Sequence, residues 1–173
     1  MTDYSKLLRP DNGQDAHMIH LVSADGFETW SKSRSAPERA AMAGQKFSGD
    51  AASFAILPQD GESWSVVAGV DDPAALTTWC LAKLAESLPA GTYRLAECSP
   101  GAASFGWLMS HYKFDRYLDK TPDGPRVLLT DQPARIDETV MLAQATALVR
   151  DLVNTPPIDC GPPAPEAEAE RIA

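Results

Sequence analysis

The chain has 173 residues, of which 44% are apolar and 23% charged, which is the usage of a folded globular domain and excludes a largely disordered protein. Its formal net charge of -9 disfavours nucleic-acid and membrane partners, because an acidic surface repels phosphate backbones and anionic lipid heads. No apolar run approaches the roughly 18 residues of a membrane span and no signal-type stretch opens the chain, so we expect a cytoplasmic protein.

The first half of the chain predicts strands that alternate with helices. Residues 1–14 are polar, include proline and glycine, and are expected to be flexible. Turn residues and apolar periodicity then predict a strand at 17–22, a helix from 25 or 26 to 30, and a helix at 36–44 capped by Ser35. They further predict strands at 53–57 and 63–70. A helix opened by Asp71, Asp72 and Pro73 is expected to reach Leu88. Asp60-Gly61 between the two later strands predicts a hairpin.

The second half continues the alternation. It predicts a strand at 92–97, a helix opened by Ser99 and Pro100, a short strand at 127–129, and a long helix over about 136–153 that ends at Asn154-Thr155-Pro156-Pro157. This order predicts an α/β fold, a three-layer sandwich with a mixed sheet and helices on both faces. We expect an α/β domain at 15–133, a connecting helix at 134–155, and the truncated start of a further domain at 156–173.

No group of acidic residues has the arrangement of a metal site. A two-metal hydrolase needs several carboxylates that converge on its ions. Glu166, Glu168 and Glu170 are the densest acidic run, but alternate spacing on a helix spreads side chains around the axis. Asp71 and Asp72 precede a proline and are interpreted as a helix cap.

The histidines and cysteines are interpreted as structural. His17 and His20 are three positions apart on a predicted strand, so their side chains face opposite sides and cannot share a metal ion. His111 lies near a helix end, where we expect a charged or hydrogen-bonded surface group. The three cysteines are Cys80, Cys98 and Cys160, and they form no CxxC pair. We expect them to be reduced thiols, with Cys80 in the core of a helix.

Motifs for nucleophilic catalysis and phosphate binding are also missing from the sequence. Ser104 and Ser110 lack the G-x-S-x-G setting of a nucleophile elbow, and Gly101 and Gly106 are too sparse for a dinucleotide fingerprint. The four tryptophans, which we interpret as core or interface anchors, are Trp30, Trp64, Trp79 and Trp107. An exposed tryptophan would mark a surface that packs on another domain or subunit.

Two stretches resemble leucyl aminopeptidases, also called cytosol aminopeptidases. The first comprises FGWL at 105–108 and YKFDRY at 112–117, and is similar to a helix of that family in which a glycine-containing segment precedes several aromatic residues. The second, ALVRDLVNTPP at 147–157 followed by Pro165-Glu166, is similar to the family's helix that enters the catalytic domain. The order and the spacing of the two stretches also match.

The resemblance implies that the chain is the N-terminal domain plus the interdomain helix of such an enzyme. In that family the N-terminal domain is an α/β sandwich similar to macro domains, carries no catalytic residue and helps to build a hexamer. The catalytic domain that follows holds two divalent metals, zinc or manganese, and releases N-terminal amino acids from peptides. None of its signature segments occurs here.

We therefore expect no catalytic, cofactor-binding or metal-binding residues in this chain and no enzymatic activity of the chain alone. The implied partners are its own catalytic domain and further copies of the same protein, with peptides as substrates of the full-length form. The alternative is a macro-like module that binds a nucleotide such as ADP-ribose in a crevice at the carboxyl end of the sheet.

Overall fold

The computed structural model of the chain describes residues 2–61, 63–117 and 124–156. Within these ranges the chain forms eleven strands and α-helices. They are β1 Leu8–Pro10, β2 His17–Val22, α1 Ala24–Lys32, α2 Ala36–Gly44, β3 Phe54–Pro58, β4 Trp64–Gly69, α3 Ala82–Ser87, β5 Gly91–Leu95, α4 Ala103–Met109, β6 Arg126–Thr130 and α5 Ile136–Asn154. Short 3-10 turns at Tyr4–Lys6 and Pro133–Arg135 precede β1 and α5.

The six strands form one mixed sheet in the order β1-β6-β5-β2-β4-β3. All neighbouring strands are parallel except β3 and β4, which are antiparallel. The predicted hairpin is therefore confirmed. Its turn is closed by the amide of Gln59, which donates to the carbonyl of Ser63 at 3.0 Å, and it uses Gly61 at φ +72°, a conformation that glycine adopts without a steric cost.

Each face of the sheet covers its own apolar core. Side chains alternate along β2, so Ile19 enters the larger core while Val22 enters the smaller one. The larger core is shared with α3, α4 and α5 and contains the fully buried Trp107. The smaller core contains Met42 of α2 and is flanked by Phe27 of α1. Helices thus lie on both faces, and the predicted α/β fold is confirmed.

Helix α2 begins where the sequence predicts, and α1 begins at Ala24, just before the predicted start at Asp25 or Gly26. The Ser23 side chain caps α1 by accepting from the amide of Gly26. Ser35 and Glu38 form a capping box at α2, in which each side chain satisfies a backbone amide of the other residue. These ends are readable from sequence because both partners lie within one helical turn.

The N-terminal residues differ from the expectation of flexibility. Tyr4, Leu7 and Leu8 are 1%, 4% and 2% exposed, and β1 pairs in parallel with β6, with Leu8 opposite Leu128. This strand was not predicted, because residues 1–14 are mostly polar. The strand that pairs with β1 and many of the apolar side chains that pack on it belong to elements about a hundred or more positions away in the sequence. The sheet therefore begins before residue 15.

The helix predicted from Pro73 to Leu88 is wrong over most of its length. Only Ala82–Ser87 is α-helical, and Asp72 instead accepts a hydrogen bond from the amide of Ala74 at 2.8 Å in a tight turn. The intervening turns pack closely on α4: a Cβ added to Gly106 would lie 2.0 Å from the carbonyl oxygen of Thr78. Consecutive β-branched threonines and this close contact favour turns over helix.

Helix α5 runs for 19 residues and confirms the predicted long helix. Its sheet-facing side buries Val140, Ala143 and Ala147, whose small side chains allow a close approach to the domain. Among the described residues no helix is both long and apolar enough to cross a bilayer.

Candidate functional site

The two histidines of β2 lie on opposite faces of the sheet, as predicted. The His17 ring stacks on Trp64 with 3.7 Å between ring centroids. His20 faces the other core, where its Nδ1 lies 2.7 Å from Oε1 of Glu97 and its ring tilts against Trp30. The two rings therefore have separate partners and no common ligand position.

His111 was predicted to be a charged or hydrogen-bonded surface group, and it is hydrogen-bonded but not at the surface. Its ring is largely enclosed, and Nδ1 lies 2.9 Å from the carbonyl oxygen of Trp107, to which it donates. Nε2 is buried and has no hydrogen-bond partner. Burial lowers the pKa of this imidazole, and the nearby charges of Arg126 and Lys113 lower it further. His111 is thus a neutral packing residue.

The described cysteines are free thiols in half-buried positions. Burial raises the pKa of both Cys80 and Cys98, which makes them poorer nucleophiles than an exposed cysteine. Cys80 lies in the turn before α3 rather than in a helix core, and its Sγ donates to the carbonyl of Thr77 at 3.1 Å. Cys160 lies outside the described residues.

The remaining candidates also occupy structural positions. Ser104 is buried in α4, and Ser110 donates to the carbonyl of Trp107 at 2.7 Å. The acidic run at 166–170 lies outside the described residues. In residues 2–61, 63–117 and 124–156, no group of three or more histidine, cysteine, aspartate or glutamate side chains could hold a metal ion.

A crevice of about 450 Å³ lies at the carboxyl ends of β1, β5 and β6. It is lined by the acidic residues Asp11, Glu97 and Asp131 and by Arg94. Both carboxylate oxygens of Asp11 accept from the Arg94 guanidinium, and these hydrogen bonds lower the pKa of Asp11. Because Arg94 is already paired, the remaining carboxylates give the crevice an acidic character that disfavours a phosphate ligand.

A polar cluster surrounds the C-terminal end of α5. The hydroxyl of Tyr112 donates to Oδ1 of Asp151 at 2.9 Å and accepts from Nδ2 of Asn154 at 3.0 Å. The guanidinium of Arg150 lies 5.4 Å from the centroid of the Tyr112 ring. Thr155, which ends the helix, is buried and donates to the carbonyl of Asp151 at 2.7 Å. The cluster holds the last turn of α5 against the loop after α4.

A cavity of about 300 Å³ borders this cluster and is also lined by Tyr4 and Arg116. The Tyr4 hydroxyl is buried without a hydrogen-bond partner, and burial raises the pKa of Tyr4 to about 12. The hydrogen bonds of the cluster join side chains and backbone of the last turn of α5 to the loop after α4, so its geometry supports attachment of a helix. Sequence reasoning missed it because its two halves are 39 positions apart, although they are the two stretches that resemble leucyl aminopeptidases.

Comparison with solved structures shows the same fold in three other chains. A cytosol aminopeptidase from Coxiella burnetii matches with a TM-score of 0.81 at 21% identity, over 96% of this chain and 37% of that one. A tomato leucine aminopeptidase mutant matches with a TM-score of 0.62 at 14% identity, over 96% of this chain and 41% of that one. The bottromycin maturation enzyme BotP matches with a TM-score of 0.67 at 21% identity, over 92% of this chain and 37% of that one.

This chain therefore spans about two fifths of the length of these solved relatives. A comparison with curated proteins found no match. A family model described as M17 aminopeptidase, N-terminal domain, matches residues 18–130, which include β2 to β6 and the helices between them. With this match over more than half of its length, the chain belongs to the M17 aminopeptidase N-terminal domain family.

Proposed function

We propose that the chain is the non-catalytic N-terminal domain of a metal-dependent leucyl aminopeptidase whose full-length form releases N-terminal amino acids from peptides. The family match over residues 18–130 carries this proposal. The domain aids assembly, as part of a hexamer, and shapes access to the active site. The full-length enzyme acts in the cytoplasm.

We also propose how the parts of the enzyme divide along the chain. Residues 134–155 form the interdomain helix, and residues 156–173 begin the catalytic domain. Two divalent metals, zinc or manganese, are held by that domain. No catalytic step is assigned to this chain.

A hydrolysis assay tests the proposed function. The purified 173-residue chain is incubated with leucine p-nitroanilide, with and without added zinc or manganese, beside the full-length parent enzyme. We expect metal-dependent release of p-nitroaniline by the parent and none by the chain. Metal-dependent turnover that copurifies with the chain, or a metal-loaded parent that leaves leucyl substrates intact, would overturn the proposal.

The alternative of a macro-like nucleotide-binding module is disfavoured by charge. The crevice at the carboxyl end of the sheet presents Glu97 and Asp131, while Arg94 is occupied by Asp11. Calorimetric titration with ADP-ribose is expected to give no saturable heat, and a saturable signal would favour the module.

A further inference from the structure

Helix α5 is apolar on two faces, and the described residues bury only one of them. The face opposite the domain carries large side chains that remain in water: Met141, Leu142, Val149 and Val153 are 63%, 52%, 58% and 79% exposed. Ala145 lies between them and is also exposed. With about 100° per residue, these side chains share one half of the helix.

The half-buried Leu148 and Leu152 extend this surface toward the domain. We define the outer face of α5 by seven residues: Met141, Leu142, Ala145, Leu148, Val149, Leu152 and Val153. None of them is charged, and the charged neighbours Arg150 and Asp151 are turned toward Tyr112. The face extends over about 18 Å of helix at 1.5 Å per residue. A helix with apolar side chains on two opposite faces needs a packing partner on each face to bury both.

We propose that the outer face of α5 is the docking surface for the catalytic domain of the same polypeptide. The identity of the occupant rests on the function proposed above. The location of the face rests on the exposure pattern of α5 alone.

The position of the face in the chain favours this occupant. It ends at Val153, and the described chain ends three residues later at Pro156. The solved relatives extend well beyond the matched part, since this chain covers only 37% to 41% of their lengths. The described part of the chain therefore ends beside the outer face.

The size of the face favours a covalently attached partner over a second copy. Seven side chains are far fewer than the roughly 20–30 residues that each partner contributes to a standard protein–protein interface. Separate molecules must also offset the loss of translational and rotational freedom on association. A domain attached to the end of α5 is already held at high effective concentration, so a small apolar surface suffices.

Thiol labelling tests the proposal. Ala145→Cys places a reactive group at the centre of the outer face, and Ala40→Cys places one on the exposed side of α2 as a matched control. Both variants are made in the 173-residue chain and in the full-length enzyme, and the unsubstituted proteins give the background from natural cysteines. The rate of reaction with a water-soluble maleimide is measured at several protein concentrations.

We expect the two thiols to react at similar rates in the 173-residue chain. In the full-length enzyme, Ala145→Cys should react at least about tenfold more slowly than Ala40→Cys, the factor that corresponds to 1.4 kcal/mol of domain docking. Equal rates in the full-length enzyme would overturn the assignment. Slow labelling in the 173-residue chain that accelerates on dilution would also overturn it, because a second copy would then cover the face.

Peptidase activity of the same full-length preparation separates the two proposals. An active enzyme whose Ala145→Cys thiol labels rapidly refutes the docking surface and leaves the proposed function intact. A protected thiol in a metal-loaded protein without leucyl aminopeptidase activity refutes the proposed function and retains the docking surface.

Discussion

The hydroxyl of Tyr112 donates a 2.9 Å hydrogen bond to Oδ1 of Asp151 and thereby ties the loop after α4 to the last turn of α5. Both side chains are half-buried, so the bond is partly shielded from water. It joins residues 39 positions apart and helps to hold the C-terminal end of α5 in place.

Tyr112→Phe should lower the free energy of unfolding by roughly 1 kcal/mol, because the Asp151 carboxylate loses a donor and Asn154 loses an acceptor. A double-mutant cycle with Asp151→Ala, measured by urea denaturation, should give a coupling energy of at least about 0.5 kcal/mol. Strictly additive losses would show that the two side chains do not stabilise each other.

Gly106→Ala should destabilise the protein by roughly 1–3 kcal/mol, the usual cost of overpacking. The new Cβ would lie 2.0 Å from the carbonyl oxygen of Thr78, and backbone cannot move as readily as a side chain. Gly44→Ala is the matched control, since nothing lies within 4 Å of its added Cβ at the end of α2. That variant should be neutral or more stable by up to about 1 kcal/mol. Equal denaturation midpoints for the two variants would contradict the close contact.

His111 should make the protein less stable as the pH falls below the ordinary histidine value. Burial lowers the pKa of His111 in the folded state, so the unfolded chain takes up a proton first. The penalty is absent above the unfolded pKa of about 6.5 and grows by at most about 1.4 kcal/mol per pH unit until the folded pKa is reached.

Urea denaturation between pH 8 and pH 5 measures this effect against His111→Gln, which cannot titrate. The variant should show the smaller loss of stability over that range. Carboxylates with lowered pKa values, such as Asp11, titrate at lower pH and are common to both proteins. A wild-type curve parallel to that of the variant would contradict a neutral, buried His111.

Gln45→Ala should increase aggregation. The Gln45 side chain donates to the carbonyl of Ile56 at 2.8 Å and accepts from its amide at 3.0 Å, which satisfies the outer edge of β3. An open edge can pair with a strand of another molecule. Thioflavin fluorescence on mild heating should rise earlier than for Gln144→Ala, an exposed glutamine of α5. Identical time courses would show that Gln45 does not protect the edge.

Several elements could be predicted because their determinants are local. The capping box of Ser35 and Glu38 and the turn at Gly61 place partners within four positions of each other, so sequence order specifies them. The same locality explains the correct alternation of strands and helices. The failure at α3 has the opposite origin: Asp72 and Pro73 are a valid helix start, but the contact between Gly106 and Thr78 decides the path of the chain.

The sequence by itself determined the α/β class, the ends of α2, the hairpin, and the two stretches that resemble aminopeptidases. Only the tertiary structure decided that β1 joins β6 at the edge of the sheet, that His111 is enclosed, and that Tyr112 meets Asp151. The physical reason is that apolar periodicity reports which side chains require burial and not which distant segment covers them. On the outer face of α5, Val149 and Val153 are exposed apolar side chains, and no described part of the chain buries them.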